Sequence, residues 1–427
     1  MRKRKNHTMN RREFLGASAA ASGIMIFKPE LVHGTEANSA VRIGLLGCGG
    51  RGTTVASGFI ENTGARITAL ADLFSDQMEA AQKDLNAKME AKGLAPIDPS
   101  QIIKGPNAFQ EIAASKEVDA ILIATPPYFH PAHLEAIVAA GKHVYCEKPV
   151  AIDVPGAKRA MEAGKKARGR LSLAVGFQIR KAPPFVELMR RIHGGALGKI
   201  GCGLAYYYCP KISRPDWPGA SAEVKRFRNW VWDRRLSGDI IVEQNIHVID
   251  ICNWALQAHP IRAVGAGSRK LRDDSGDCYD NFNVVFTYPG DIQMSFGSTQ
   301  FDKHAFDASV RLYGTRGSCE AHYDHRMSIA GDEKWDAGLG PAQHEGQFSA
   351  AGSFRGALDQ ADPEKQKSFV ESITSGNFLN EAAAGAESAL SAMLGRNAAY
   401  SGKALTWDTL MKSNEIYDPK INLANMS

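Results

Sequence analysis

Six residues, Gly47-Cys48-Gly49-Gly50-Arg51-Gly52, constrain this chain more than any other stretch. They follow a short apolar run, Val41–Leu46, and open a segment of helical periodicity from Gly50 to Glu61. A G-x-G-x-x-G sequence between a strand and a helix suits a dinucleotide for mechanical reasons. Gly47 permits the tight turn, Gly49 lets a pyrophosphate approach the main chain, and Gly52 lets helix and strand pack closely. The helix start offers unpaired N–H groups and a positive dipole to the phosphates. The alternatives for such a turn are a flavin or plain nucleotide site, or a purely structural glycine turn.

Asp72 ends the next apolar run, Arg66–Leu73, 20 residues beyond Gly52. A carboxylate there accepts hydrogen bonds from the adenosine ribose hydroxyls and repels the 2′-phosphate of NADP. Two like charges about 4 Å apart cost up to roughly 4 kcal/mol at an effective dielectric of 20, about a thousandfold in affinity at the upper end. The expected cofactor is therefore NAD, with NADP disfavoured.

From Val41 the pattern alternates strand and helix, as a parallel sheet requires. Ser75–Lys92 is polar, Ala-rich and helical, and Asp119–Ala124 is an apolar strand ended by Thr125-Pro126-Pro127. Pro131 suits the first turn of a helix that stops at Gly141. His143–Cys146 and Leu171–Phe177 read as strands around a helix near Gly156–Ala167. The second half changes character. Tyr206, Tyr207, Tyr208, Trp217, Trp230 and Trp232 crowd a loop-rich stretch, and a helical pattern runs from Glu243 to Leu256. Ile261–Gly267, Phe282–Thr287, Asp291–Ser298 and Ala308–Tyr313 are strand-like runs joined by turn signals. Asp324–Gly352 reads as a long loop, and helices near Pro363–Ser375 and Glu381–Ser401 close the chain. The expectation is an α/β protein. A doubly wound, parallel Rossmann sheet fills residues 41–175. An α+β domain with a large, mostly antiparallel sheet and C-terminal helices fills residues 176–427.

Residues 1–40 read as an export leader. Arg11-Arg12-Glu13-Phe14-Leu15 follows a basic start and precedes an Ala-rich, weakly apolar stretch. This resembles the twin-arginine signal, which implies the export machinery as a partner and a periplasmic address. The apolar stretch is too short to span a bilayer comfortably, so no stable membrane insertion is expected. Seven Lys/Arg against three Glu place four of the chain's five net positive charges in this leader. The body is thus nearly neutral and offers no electrostatic case for nucleic acid. Seven scattered cysteines, odd in number, do not form a disulfide framework.

Four further motifs join the glycine turn: Ala124-Thr125-Pro126-Pro127-Tyr128-Phe129-His130, Glu147-Lys148-Pro149, Gly176-Phe177-Gln178-Ile179-Arg180 and Glu243-Gln244-Asn245-Ile246-His247-Val248-Ile249-Asp250. In this order they resemble the glucose–fructose oxidoreductase / inositol dehydrogenase (Gfo/Idh/MocA) family over nearly the whole chain after residue 40. The resemblance implies cofactor contacts from the whole turn, Gly47, Cys48, Gly49, Gly50, Arg51 and Gly52. It adds Asp72, Thr125, Pro126, Pro127, His130, Glu147, Lys148 and Gln178. It makes Lys148 the group that contacts the nicotinamide ribose and the reacting oxygen, and His247 the proton acceptor. Glu243 stands where the family usually has Asp, so its role as the carboxylate that orients or charges His247 carries over with a longer arm. At helical spacing Glu243 and His247 point from one face. Asn245 and Arg180 meet substrate, Asn245 alternatively cofactor. Gln178 and Arg180 equally suit structural hydrogen bonding. Tyr208 and Trp230, with Trp232, suit either a sugar's C–H face or the core. Asp250 reads as a helix-face ion pair. His322 and His325 have a metal-like spacing with no ligand set in the sequence to complete it, so no metal is expected.

The activity so implied is hydride transfer between a nicotinamide and a hydroxyl of a sugar, glycoside or cyclitol. Free NAD is scarce outside the cytoplasm, so an exported enzyme must carry its cofactor tightly bound. The alternative is redox-neutral cleavage of a glycoside by transient oxidation at C3 and elimination. Relatives usually pair through the second domain's sheet, which implies a homo-oligomer, dimer or tetramer.

Overall fold

The computed structural model describes residues 40–426 except 213, 273–275, 305, 324 and 341–357. The twin-arginine leader and the later part of the loop expected over 324–352 lie outside these residues. Six strands form the first sheet: β1 (Arg42–Leu46), β2 (Arg66–Asp72), β3 (Ile102–Lys104), β4 (Ala120–Ile123), β5 (His143–Cys146) and β6 (Leu173–Val175). Their order is β3-β2-β1-β4-β5-β6 and every pairing is parallel. Helices cover both faces, so the central strands are continuous apolar runs; Ala120–Ile123 is buried throughout. The strand order reverses between β1 and β4. A crevice opens there, beyond the C-terminal strand ends, and ligands bind in such a crevice. The glycine turn follows β1, Thr125 follows β4 and Lys148 follows β5.

Nine strands form the second sheet: β7 (Ile200–Tyr208), β8 (Arg262–Ser268), β9 (Asn281–Tyr288), β10 (Ile292–Thr299), β11 (Asp307–Gly314), β12 (Gly317–His322), β13 (Met327–Gly331), β14 (Trp335–Asp336) and β15 (Leu405–Thr406). The order is β14-β13-β12-β11-β7-β10-β9-β8-β15. All pairs are antiparallel except β7 with β10. The helices Ile246–Leu256 and Ala382–Ser401 pack on one face. Side chains alternate accordingly: Phe282, Val284, Phe286 and Tyr288 are buried while Asn283 and Val285 are exposed.

Three expectations are corrected. Tyr206–Tyr208 belongs to a strand and not to a loop-rich stretch. The first half of the loop expected over Asp324–Gly352 contains β13 and β14. The helix expected from Glu243 to Leu256 is two helices, Ile240–Glu243 and Ile246–Leu256, broken at Gln244–Asn245. At the break the Ile240 carbonyl accepts both the Gln244 and Asn245 N–H groups, at 2.9 and 2.8 Å. The second of these is a π-type bond, of the kind that bulges a helix.

A late helix, Ala361–Thr374, returns to the first sheet and packs on Gly50–Asn62. Gln366 accepts from Asn62 at 2.9 Å, and Asp362 takes both terminal nitrogens of Arg51 at 3.1 Å. Lys365, fully buried, pairs with Glu381, which also accepts the Val175 N–H at 2.8 Å. All seven cysteines are free. Among the described residues no helix is long and apolar enough to cross a membrane.

Candidate active site

Gly47 has φ +98°, and a Cβ there would lie 2.7 Å from the Ala124 carbonyl carbon. A Cβ on Gly52 would lie 2.0 Å from the Gly47 oxygen. Both positions need glycine, one for conformation and one for space. Asp72 braces the same turn from the end of β2. Its Oδ2 accepts the Cys48 N–H at 2.6 Å and its Oδ1 the Phe74 N–H at 2.9 Å. Burial pushes its carboxyl above the usual range, and these N–H groups oppose that shift.

A cavity of about 340 Å³ opens over the turn, within the usual size of a small-molecule site. One wall is Gly47, Gly49, Gly50, Asp72, Phe74, Thr125 and Pro126; the other is Trp217, Phe227, Arg228, Trp230 and Leu423. Arg228 clasps the walls together. Its guanidinium lies 4.0 Å from the Phe74 ring centroid and 4.5 Å from that of Trp217, and it bonds Asp76 at 2.6 and 2.8 Å. Its hydrogen bonds hold the Asp76 carboxyl below the usual range. His133 also lines the cavity, with Nδ1 3.1 Å from Thr125 Oγ1. The sequence reading missed Phe74, His133, Trp217 and Arg228. The position of Phe74 just after a strand end was the one available signal.

Lys148, Glu243 and His247 lie beyond this cavity's lining, in a buried corner. Lys148 Nζ donates to Glu243 Oε1 at 3.0 Å and to the Glu243 carbonyl oxygen at 2.5 Å. Glu243 is thus taken by Lys148 and not by His247, from which the helix break separates it. Asp239, fully buried, starts this short helix. Its carboxylate accepts from Ile240 N at 2.6 Å, Tyr400 Oη at 2.5 Å and Tyr279 N at 3.2 Å. His247 is 5 % exposed and its Nδ1 has no hydrogen-bond partner. Burial first, then the charges of Lys148 and Arg51, hold its ring far below the ordinary histidine range. Glu147 pairs with Arg51 at 3.0 Å, and burial pushes its carboxyl up despite that partner.

Gln178 Oε1 and Asn245 Oδ1 are also buried without partners. An orphaned buried polar atom costs about 1–3 kcal/mol. Phe177 stands edge-on to His247 with centroids 5.9 Å apart, which brings the Gln178 and His247 segments together. A ligand rich in amide and hydroxyl groups satisfies such atoms. The open glycine turn and these orphans together fit a nicotinamide dinucleotide.

Other expected site residues have different duties. His130 is 1 % exposed, and its ring nitrogens lie 2.7 Å from the Pro149 and Thr125 carbonyl oxygens. It ties the two loops together from behind, and Pro127 is buried beside it. Cys48 is buried and meets Asp72 through its main chain. Arg180 is clamped by Asp250 at 2.8 Å through Nε and Nη2, the structural hydrogen bonding that was its alternative reading. Asp250 finds its partner there and not on its own helix. Tyr208 stacks on Tyr206 at 4.8 Å, on the sheet face opposite the buried Tyr207, whose side is the one that feels the Glu243 charge. The alternation of β7 decides this. Trp230 lines the cavity near Asp72, not a pocket around Lys148.

The family model described as "Oxidoreductase family, NAD-binding Rossmann fold" matches residues 41–176, and the "GFO/IDH/MocA C-terminal domain" matches residues 185–320. The inositol 2-dehydrogenase of Cereibacter sphaeroides is 30 % identical over 279 residues, covering 65 % of this chain and 72 % of that protein. The chain belongs to the Gfo/Idh/MocA oxidoreductase family. The inositol 2-dehydrogenase of Rhizobium meliloti is 25 % identical over 292 residues, covering 68 % and 78 % of the two chains. Among solved structures, the aldose-aldose oxidoreductase from Caulobacter crescentus superposes with a TM-score of 0.65 at 18 % identity, covering 86 % and 99 %. A putative myo-inositol dehydrogenase from Sinorhizobium meliloti gives 0.64 at 22 %, with the same coverage. These likenesses carry the shared two-sheet fold. As a Gfo/Idh/MocA protein the chain is an oxidoreductase whose first sheet binds NAD(P).

Proposed function

We propose that this enzyme oxidises a hydroxyl of a sugar, glycoside or cyclitol, with NAD held tightly through export to the periplasm. One observation carries the reading: Lys148, anchored by Glu243, lies close enough for its charge to reach a buried His247 whose Nδ1 has no partner. Bound NAD supplies the hydride acceptor. The chain's own groups do the rest. His247 rests neutral, so it can take the hydroxyl proton. Lys148 has three N–H donors and spends two on Glu243. The third remains for the substrate oxygen as negative charge develops there.

The carboxylate of Asp72 at the cavity wall supports NAD over NADP. The wall of Trp217, Phe227, Arg228 and Leu423 supports slow cofactor release. The pattern Arg11-Arg12-Glu13-Phe14-Leu15 supports twin-arginine export. The relatives' names, inositol dehydrogenases, support a cyclitol or a sugar of like shape. Tyr208, Val264, Val285 and Tyr313, exposed on the uncovered sheet face, support pairing of two copies there.

The test is to purify the full chain, release and identify any dinucleotide, then screen cyclitols and glycosides for nicotinamide reduction. Retained NAD and reduction by at least one polyol are expected. A protein that neither retains nor binds a dinucleotide sinks the reading. Release of phenol from an aryl glycoside with no net absorbance change would instead mark cleavage through transient oxidation.

A further inference from the structure

Away from the dinucleotide crevice, on the uncovered face of the second sheet, β11 and β12 assemble a cluster of which the sequence spacing showed only the two histidines. Asp307 opens β11 and His322 ends β12; the two strands pair antiparallel, with Ser309 opposite His322. His325 lies between β12 and β13, its ring 4.3 Å from that of His322. One ligand atom each from Asp307, His322 and His325 lies within 4.8 Å of the others. The carboxylate that the His322-x-x-His325 spacing lacked is thus supplied from the neighbouring strand.

The surrounding hydrogen bonds give two of the donors a direction. His322 Nε2 faces Glu320 Oε1 at 2.8 Å, while Nδ1 faces Asp307 Oδ1 at 2.8 Å. A metal-bound histidine usually donates its other ring N–H to a carboxylate, which fixes the tautomer. Glu320 is that acceptor here, itself neutralised by Arg311 and Arg326. Nδ1 is then the atom turned toward Asp307. Tyr206 donates to Asp307 Oδ2 at 2.8 Å and leaves Oδ1 on the histidine side. His322 and Asp307 are therefore both oriented by outer partners.

We propose that Asp307, His322 and His325 bind one divalent transition ion of the zinc class, with water completing the coordination. Two imidazoles and one carboxylate favour such an ion over calcium or magnesium, which prefer all-oxygen sets. Ligand bonds of about 2 Å at a tetrahedral angle put donors about 3.3 Å apart. The Asp307–His322 contact at 2.8 Å must therefore open slightly and give up its shared proton, while His325 moves in by roughly an ångström. The ion would tie the segment between β12 and β13 to β11 and brace the sheet's uncovered face; it takes no part in hydride transfer.

The test is calorimetric titration of the chelator-dialysed full chain with Zn²⁺, repeated with Co²⁺ to read tetrahedral coordination from its visible spectrum. One equivalent per chain is expected. Asp307→Asn and His325→Ala each weaken binding at least tenfold, and Glu320→Gln weakens it about ten- to a hundredfold. His304→Ala, a histidine with a side chain 93 % exposed, leaves it unchanged. Circular dichroism confirms that each variant folds. No saturable uptake by the wild type overturns the proposal. So does affinity within twofold of wild type in both Asp307→Asn and His325→Ala. Neither result depends on whether the dinucleotide binds.

Discussion

Lys148 donates to Glu243 twice, once to its carboxylate at 3.0 Å and once to its main-chain oxygen. The main-chain bond survives any side-chain change, so the two contributions separate. Glu243→Gln keeps the length and loses the charge; kcat is expected to fall about tenfold, with the cofactor Kd little changed. Lys148→Met removes the donor itself and should cost about 10²–10³ in kcat, the scale of one donor to a developing oxyanion. Steady-state kinetics with saturating NAD checks both. Equal losses in the two variants would contradict the separation.

His247→Gln is expected to lower kcat by about 10²–10⁴, the range of a positioned base. Because burial keeps the wild-type ring neutral, its oxidation rate should hold level as pH falls past 6.5, the ordinary histidine value. The acid limb appears only further down and should be missing in the variant. A wild-type pH–rate profile breaking at or above 6.5 would refute the assignment.

Asp72→Ala removes the negative charge from the cavity wall and the acceptor of the Cys48 and Phe74 N–H groups. NAD affinity should fall while NADP affinity rises, moving their ratio by up to about a thousandfold. Fluorescence titration with each dinucleotide reads the ratio; a shift under threefold argues against a ribose contact.

Burial lowers the His133 ring from 6.5 to about 3. Between those values the unfolded chain binds the proton and the folded chain does not. The stability this ring contributes is therefore fully present above 6.5. It is lost as pH falls, at about 1.4 kcal/mol per pH unit. Denaturant melts between pH 7 and pH 5 should show a slope in His133→Phe smaller than the wild type's by about that amount. His130 and His247, also lowered by burial, keep their own shares.

Gly52→Ala forces a Cβ to within 2.0 Å of the Gly47 oxygen. The helix must move off β1, at a cost of about 1–3 kcal/mol or more. Thermal melting and loss of NAD binding should report it together, whereas Gly50→Ala, with nothing within 4 Å of its added carbon, should melt as wild type.

The first sheet was legible in the sequence because strands buried on both faces are short apolar runs bounded by glycine and proline, as Ala120–Ile123 before Thr125-Pro126-Pro127 shows. β7 was hidden. Gly201, Cys202 and Gly203 weaken its signal, and three consecutive tyrosines mask the alternation that turns Tyr207 inward and Tyr208 outward. The break after Glu243 has no glycine or proline to announce it. Tertiary bonds mark it: Gln244 Oε1 accepts Gln300 Nε2 at 3.1 Å and the Cys209 thiol at 3.6 Å. Charge partners were the least legible, since Lys148 meets Glu243 across 95 residues and Arg180 meets Asp250 across 70. Spacing within one helix says nothing about such pairs.

The carboxylate that grips Arg51 comes from Asp362, 311 positions later in the chain. A ribosome that has finished the whole first sheet has not yet supplied the helix that braces its glycine turn. Full bracing of the dinucleotide site therefore belongs to the finished polypeptide, and a chain halted before residue 361 would hold its glycine turn by Asp72 and Glu147 alone.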